Sequence, residues 1–158
     1  MPVVEIVVES PLWKAQRSAK TVLRQAIAAA AAIVPATAGE LAIVLTDDAA
    51  IRTLNRTWRA KDEPTNVLSF PAPSSPSRGA PPLLGDIVIA YETTAREAAA
   101  EHKPFRHYLA HLAVHGFLHL AGYDHEADEE AEAMEKMEID ALARLELPNP
   151  YIARNAKG

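Results

Sequence analysis

No cysteine appears in the 158 residues of this chain. Its absence excludes disulfides, thiolate metal sites and cysteine nucleophiles, and fits a reducing compartment. The start, MPVVEIVVES, lacks the basic residues and apolar run of a secretory signal. Long hydrophobic runs are missing too. The longest, AIAAAAAIVPA at 26–36, is alanine-rich and too short to span a bilayer. Nor is there an excess of positive charge: the net charge of −5 argues against a nonspecific nucleic-acid coat. These absences predict a soluble cytoplasmic protein with no membrane partner.

The charge that is present is unevenly placed. From Lys14 to Lys61 there are eight Lys or Arg against three Asp or Glu, which leaves room for a phosphate-binding surface. From Asp124 to Asp140 there are nine acids against one Lys, which reads as a solvated helix face. Apolar residues make up 49%, enough for a real core in one domain over 1–147. The remainder, 148–158, has no periodicity and reads as a partly disordered tail.

The β-branched run VVEIVV predicts a strand at 3–8, and Ser10-Pro11 predicts the cap and first position of a helix over 12–32. LAIVLT at 41–46 reads as a buried strand. Thr46, Asp47 and Asp48 offer capping oxygens for a helix to Trp58. Prolines bracket a strand in PTNVLSFP at 64–71, a Pro/Ser-rich loop covers 72–82, and LLGDIVIA at 83–90 is the fourth strand. Helices follow over 92–103, 104–121 and 126–145. This order predicts an α+β fold: one mixed sheet of about four strands covered by helices, with the C-terminal helices carrying a metal motif.

All six histidines fall between His102 and His125. His107, His111, His115 and His119 recur every four residues, so each lies about 40° from the last on one helical stripe. His115 and His119, one turn apart, can aim at a common point. A third ligand ten residues along a continuous helix would be carried about 15 Å away, so the chain has to stop and return. Gly122 stands where a left-handed residue would end the helix, and His125 follows. Three imidazoles with no fourth protein ligand form the donor set of a catalytic zinc site. His107 and His111 read as supporting, substrate-side or simply satisfied polar residues.

His-x-x-x-His-x-x-Gly-x-x-His also matches a metalloprotease motif, except that the general-base Glu after the first His is Gly116 here. Glycine inside a helix costs on the order of 1 kcal/mol relative to alanine. It implies close approach by another element or a bulky substrate. Arg59, at the end of the second helix, either meets a phosphate bidentately or balances the helix dipole; Arg56 reads as its solvated companion. Asp124 and Glu126 flank His125 and are candidates to orient an imidazole or act as base. Asp86 reads as a turn residue.

HGFLHLAGYDH resembles the signature of the YbeY-type endoribonucleases, the ribosomal RNA maturation factors, in which His-Gly replaces the protease His-Glu. The resemblance extends to LNRTWRAKDEPTNVLSFP, LLGDIVIA and HYLAHLAVHG, and covers most of residues 41–126 in order. It departs at Asn66, where many relatives carry Asp. It implies a zinc-dependent hydrolase cutting single-stranded RNA, with one Zn2+ per chain on His115, His119 and His125 and a functional role for Arg59. It also implies rRNA processing, small-subunit quality control, and the small ribosomal subunit with its assembly factors as partners; DNA is not expected. Two other readings stay open: an assembly factor with a structural metal, and a zinc metallopeptidase-like hydrolase.

Overall fold

The structure is a computed structural model that describes residues 2–34, 39–73, 83–124 and 127–151. Four strands, β1 (Val3–Val8), β2 (Glu40–Thr46), β3 (Val67–Pro71) and β4 (Leu83–Ala90), form one mixed sheet in the order β1-β2-β4-β3. β1, β2 and β4 run parallel, and β3 is antiparallel to β4. The helices are α1 (Ala19–Ile33), α2 (Asp48–Arg59), α3 (Tyr91–Ala100), α4 (Phe105–Leu120) and α5 (Asp128–Arg144). This is the α+β architecture the strand and helix patterns predict. Among the described residues, no helix is long and apolar enough to cross a membrane.

Strand alternation divides the core. Leu41, Ile43 and Leu45 of β2 join Ile87 and Ile89 of β4 in a large cluster with Leu23 and Ile27 of α1 and Phe117 and Leu118 of α4. The opposite face is smaller: Val88 and Ala90 pack with Leu68 and with Ile51 of α2. α4 is therefore the central helix, with ten buried residues.

The helix expected from residue 12 is broken. Pro11–Ala15 form a 3-10 turn whose cap, Ser10 Oγ, accepts from the Leu12 N–H at 3.3 Å, and α1 begins only at Ala19. Trp13 explains the break. Its buried indole N–H donates to the Thr46 carbonyl at 2.8 Å, and its ring packs edge-on against Tyr91 and Phe105. That anchor holds the turn at the end of β2, and the chain reorients before α1.

Asp47 caps α2, accepting from the Ala50 N–H at 2.9 Å. Asp48 instead reaches α3, accepting from the Thr93 N–H at 3.1 Å, while Glu92 of α3 accepts from the Asp48 N–H at 2.8 Å. Two helix N-termini thus cap each other. The strand in PTNVLSFP is shorter than its prolines suggest: Asn66 Oδ1 accepts the Val67 N–H, and β3 begins there. Of the Pro/Ser-rich loop, 74–82 lies outside the described residues.

Candidate functional site

A cleft of about 900 Å3 opens between the end of α2, strand β3, α4 and α5. His111, His115 and His119 line it from α4, Arg59 from α2, and Asn66 from the approach to β3. The Nε2 atoms of His115 and His119 are 3.1 Å apart. Two nitrogens bound to one tetrahedral zinc at about 2.0–2.1 Å would lie roughly 3.3 Å from each other. The pair is thus spaced to share an ion.

α4 ends as its glycine predicts. Gly122 takes a left-handed conformation, φ +99°, and its N–H donates to the His119 carbonyl at 3.1 Å. The Tyr123 N–H reaches back to the Leu118 carbonyl at 3.0 Å, completing a Schellman turn. His125 and Glu126 lie outside the described residues. Among the described residues, no group of three or more His, Asp or Glu side chains is arranged to hold a metal ion. Asp124 also lines the cleft, whereas Asp86 sits in β4 opposite Phe70, away from it.

The acidic helix supplies a residue that the charge pattern hides. Glu138 of α5 is 1% exposed and lies beneath the histidine stripe. Its Oε1 is 2.5 Å from His111 Nε2, its Oε2 is 3.4 Å from His115 Nδ1, and the Tyr151 hydroxyl donates to Oε1 at 2.9 Å. Burial alone would raise this carboxyl, but the hydrogen bonds and charge of His111 and His115 outweigh it and bring it to about 2. A carboxylate beside Nδ1 favours the proton on that nitrogen and leaves the Nε2 lone pair facing His119. This is the support a metal-binding imidazole needs. The signal was present in the sequence: Glu138 falls in the apolar stripe Met134, Ala141, Leu142 of an otherwise charged helix. Tyr151 belongs to the aperiodic segment after 147, yet it touches the site.

His111 is thus a partner of Glu138; its Nδ1 is buried without a hydrogen-bond partner among the described residues. His107 is not among the residues lining the cleft, and burial, then the Arg106 charge, lowers its pKa. Tyr108 donates to Glu97 Oε1 at 2.7 Å, and the Asn66 amide donates to the same oxygen at 2.8 Å. Burial, then Glu97, holds the Tyr108 phenol far above its usual range, so the hydroxyl keeps its proton at neutral pH and serves Glu97 as a hydrogen-bond donor.

Arg59 is exposed and has no hydrogen-bond or ion-pair partner among the described residues. Arg56, by contrast, faces Asp62 at 3.9 Å, and Arg52 holds the same carboxylate through two bonds. Gly116 does not face the cleft. A Cβ there would lie 3.0 Å from Ile87 Cγ2 and 3.2 Å from Ser69 Oγ, and the Ser69 hydroxyl donates to the Gly116 carbonyl. The glycine lets α4 press onto the sheet. Of the two reasons expected for it, the structure selects close approach by another element.

The family model described as Endoribonuclease YbeY matches residues 8–146. A protein called Endoribonuclease YbeY from Rhodopseudomonas palustris (strain BisA53) is 57% identical over 155 residues, covering 95% of this chain and 90% of that one. Its namesake from Bradyrhizobium sp. (strain BTAi1) is 56% identical over 161 residues, covering 98% and 95%. The solution structure of TM1509 from Thermotoga maritima shares the fold with a TM-score of 0.55 at 24% identity, covering 91% of this chain and 92% of that one. The chain, with its His-Gly signature on α4 and its mixed four-stranded sheet, belongs to the Endoribonuclease YbeY family.

Proposed function

We propose that this chain is a zinc-dependent endoribonuclease that cuts single-stranded RNA in the cytoplasm. Its setting would be rRNA maturation and quality control of the small ribosomal subunit, with that subunit and its assembly factors as partners. The observation that carries the reading is one cleft holding both the converged imidazoles of His115 and His119 and the guanidinium of Arg59. His115 and His119, with His125 as third ligand, would hold the ion. Bound zinc supplies Lewis acidity and a water of lowered pKa.

The protein's own contribution is placement. Glu138 orients the His115 ring, and α4, anchored by its ten buried residues, keeps both imidazoles on one turn. Arg59 has no partner among the described residues to give up, so its planar fork is available to a phosphate whose charge grows during cleavage. The peptidase alternative lacks its base, because position 116 is turned into the sheet.

The test is cleavage of an end-labelled, unstructured oligoribonucleotide by the full chain, with zinc and with chelator. Cuts are expected only with metal, and a duplex of the same sequence should be spared. Zinc binding without RNA cleavage would favour the structural-metal alternative, and robust peptide hydrolysis the peptidase. Arg59→Lys should lose activity by about ten-fold or more, since a point ammonium cannot reproduce the fork. Its zinc content and melting temperature should match wild type. A fully active Arg59→Lys enzyme would return this side chain to balancing the α2 dipole. His119→Ala should bind zinc far more weakly than any variant of a supporting residue. Full zinc occupancy in a His115→Ala/His119→Ala double variant would show that the ligands lie elsewhere.

A further inference from the structure

Trp58 takes no part in the chemistry above, yet it is the most exposed of the large hydrophobic side chains among the described residues, at 69%. It precedes Arg59 in α2 and lines the same cleft as the histidine pair. The aromatic ring it meets is Phe70 of β3, with centroids 6.3 Å apart and planes at 65°. An edge contact of that kind covers at most one face of an indole. Phe70 is itself seated against the small core cluster of Ile51, Leu68 and Val88.

The helix end that carries Trp58 is also fixed. Ala60 adopts a left-handed conformation, with its N–H bonded to the carbonyls at the end of α2, and the Asn55 amide donates to the Glu63 carbonyl at 2.9 Å. The helix end that carries the indole is therefore held in place, and the indole is left open to solvent. A flat aromatic face open to solvent, beside a guanidinium with no partner among the described residues in the same cleft, is the pairing that single-strand binding uses.

We propose that Trp58 is a stacking platform for one unpaired nucleobase of the RNA, next to the phosphate that Arg59 meets. This inference rests on the proposed RNA substrate and adds the subsite that recognises it. Every base has a flat π face, so stacking tolerates sequence. A base inside a duplex is already stacked on both sides and cannot lie on the indole. Selectivity for single strands then comes from Trp58, and placement of the scissile phosphate from Arg59. Together they form the aromatic-plus-cation pair used by proteins that bind single strands.

The zinc-loaded full chain is titrated with an unstructured 2′-O-methyl oligoribonucleotide, checked to be intact after the titration, and with the matching duplex. Trp13 is buried, so quenching of tryptophan fluorescence by the single strand reports Trp58. Trp58→Ala and Trp58→Leu should weaken single-strand binding about 5- to 150-fold, the range for losing one stacked base. Trp58→Phe should stay within a few-fold of wild type, duplex binding should not change, and the preference for single strands should collapse in the Ala and Leu variants. Zinc affinity and melting temperature serve as folding controls and should hold throughout.

If wild type binds the single strand through Arg59 but Trp58→Ala binds equally well and no quenching occurs, the stacking subsite is wrong and the RNA reading survives. If wild type does not bind the single strand at all, both fall. Full RNA binding by Trp58→Leu would assign the indole to an apolar protein partner instead, and overturn the proposal.

Discussion

Glu138→Ala is expected to lower zinc affinity about 10- to 100-fold, the usual cost of removing the group that orients a metal-binding imidazole. It should also destabilise the metal-free fold by roughly 1–3 kcal/mol, because His111, His115 and Tyr151 would lose a shared buried acceptor. Two effects from one substitution can be separated. Glu138→Gln keeps one carbonyl oxygen for one histidine but turns an N–H2 toward the other, so it should recover part of the stability and little of the zinc affinity. Competition against a metallochromic dye measures the first quantity, and thermal melts in chelator the second. If Glu138→Ala binds zinc as tightly as wild type, Glu138 is a structural ion-pair partner and does not set the site.

Gly116→Glu is expected to cost stability rather than to redirect chemistry. The first added atom already lies 3.0 Å from Ile87 Cγ2, and the carboxylate would follow it into the packed layer between α4 and the sheet. Overpacking a core by a methylene costs about 1–3 kcal/mol, and a buried, unpaired carboxylate adds to that. A fall in melting temperature of roughly 6–12 °C or more should follow. Gly116→Ala sets the better helix propensity of alanine, about 1 kcal/mol, against a squeeze that Ile87 can relieve by a small shift. Its melting point should stay within about 4 °C of wild type. Neither variant should acquire peptidase activity. A stable Gly116→Glu protein with zinc-dependent peptide cleavage would show that position 116 can turn into the cleft.

These two positions show what a sequence can and cannot express. The strands were legible because their periods are local: VVEIVV and LLGDIVIA announce themselves without reference to anything else. So was the stop at Gly122, since a left-handed residue after an apolar stripe needs no distant partner to define it. The break at 16–18 was not legible, because it depends on Trp13 reaching Thr46, 33 residues away. Gly116 was visibly anomalous, but only the sheet beneath it distinguishes packing from substrate. Glu138 is one of nine acids in a segment that reads as a solvated helix face, and its place in the Met134–Leu142 stripe is the available clue. Charge totals over a segment average away the one member that turns inward.

Glu138 has a consequence in time as well as in space. α4 leaves the ribosome before α5 during N-to-C synthesis. The histidine stripe is therefore laid down while the carboxylate that orients it is still to come. Until α5 docks, His111 and His115 lack that partner and the orientation it imposes. The site is assembled in two strokes, and the helix that completes it is made after the helix that carries its metal-binding candidates.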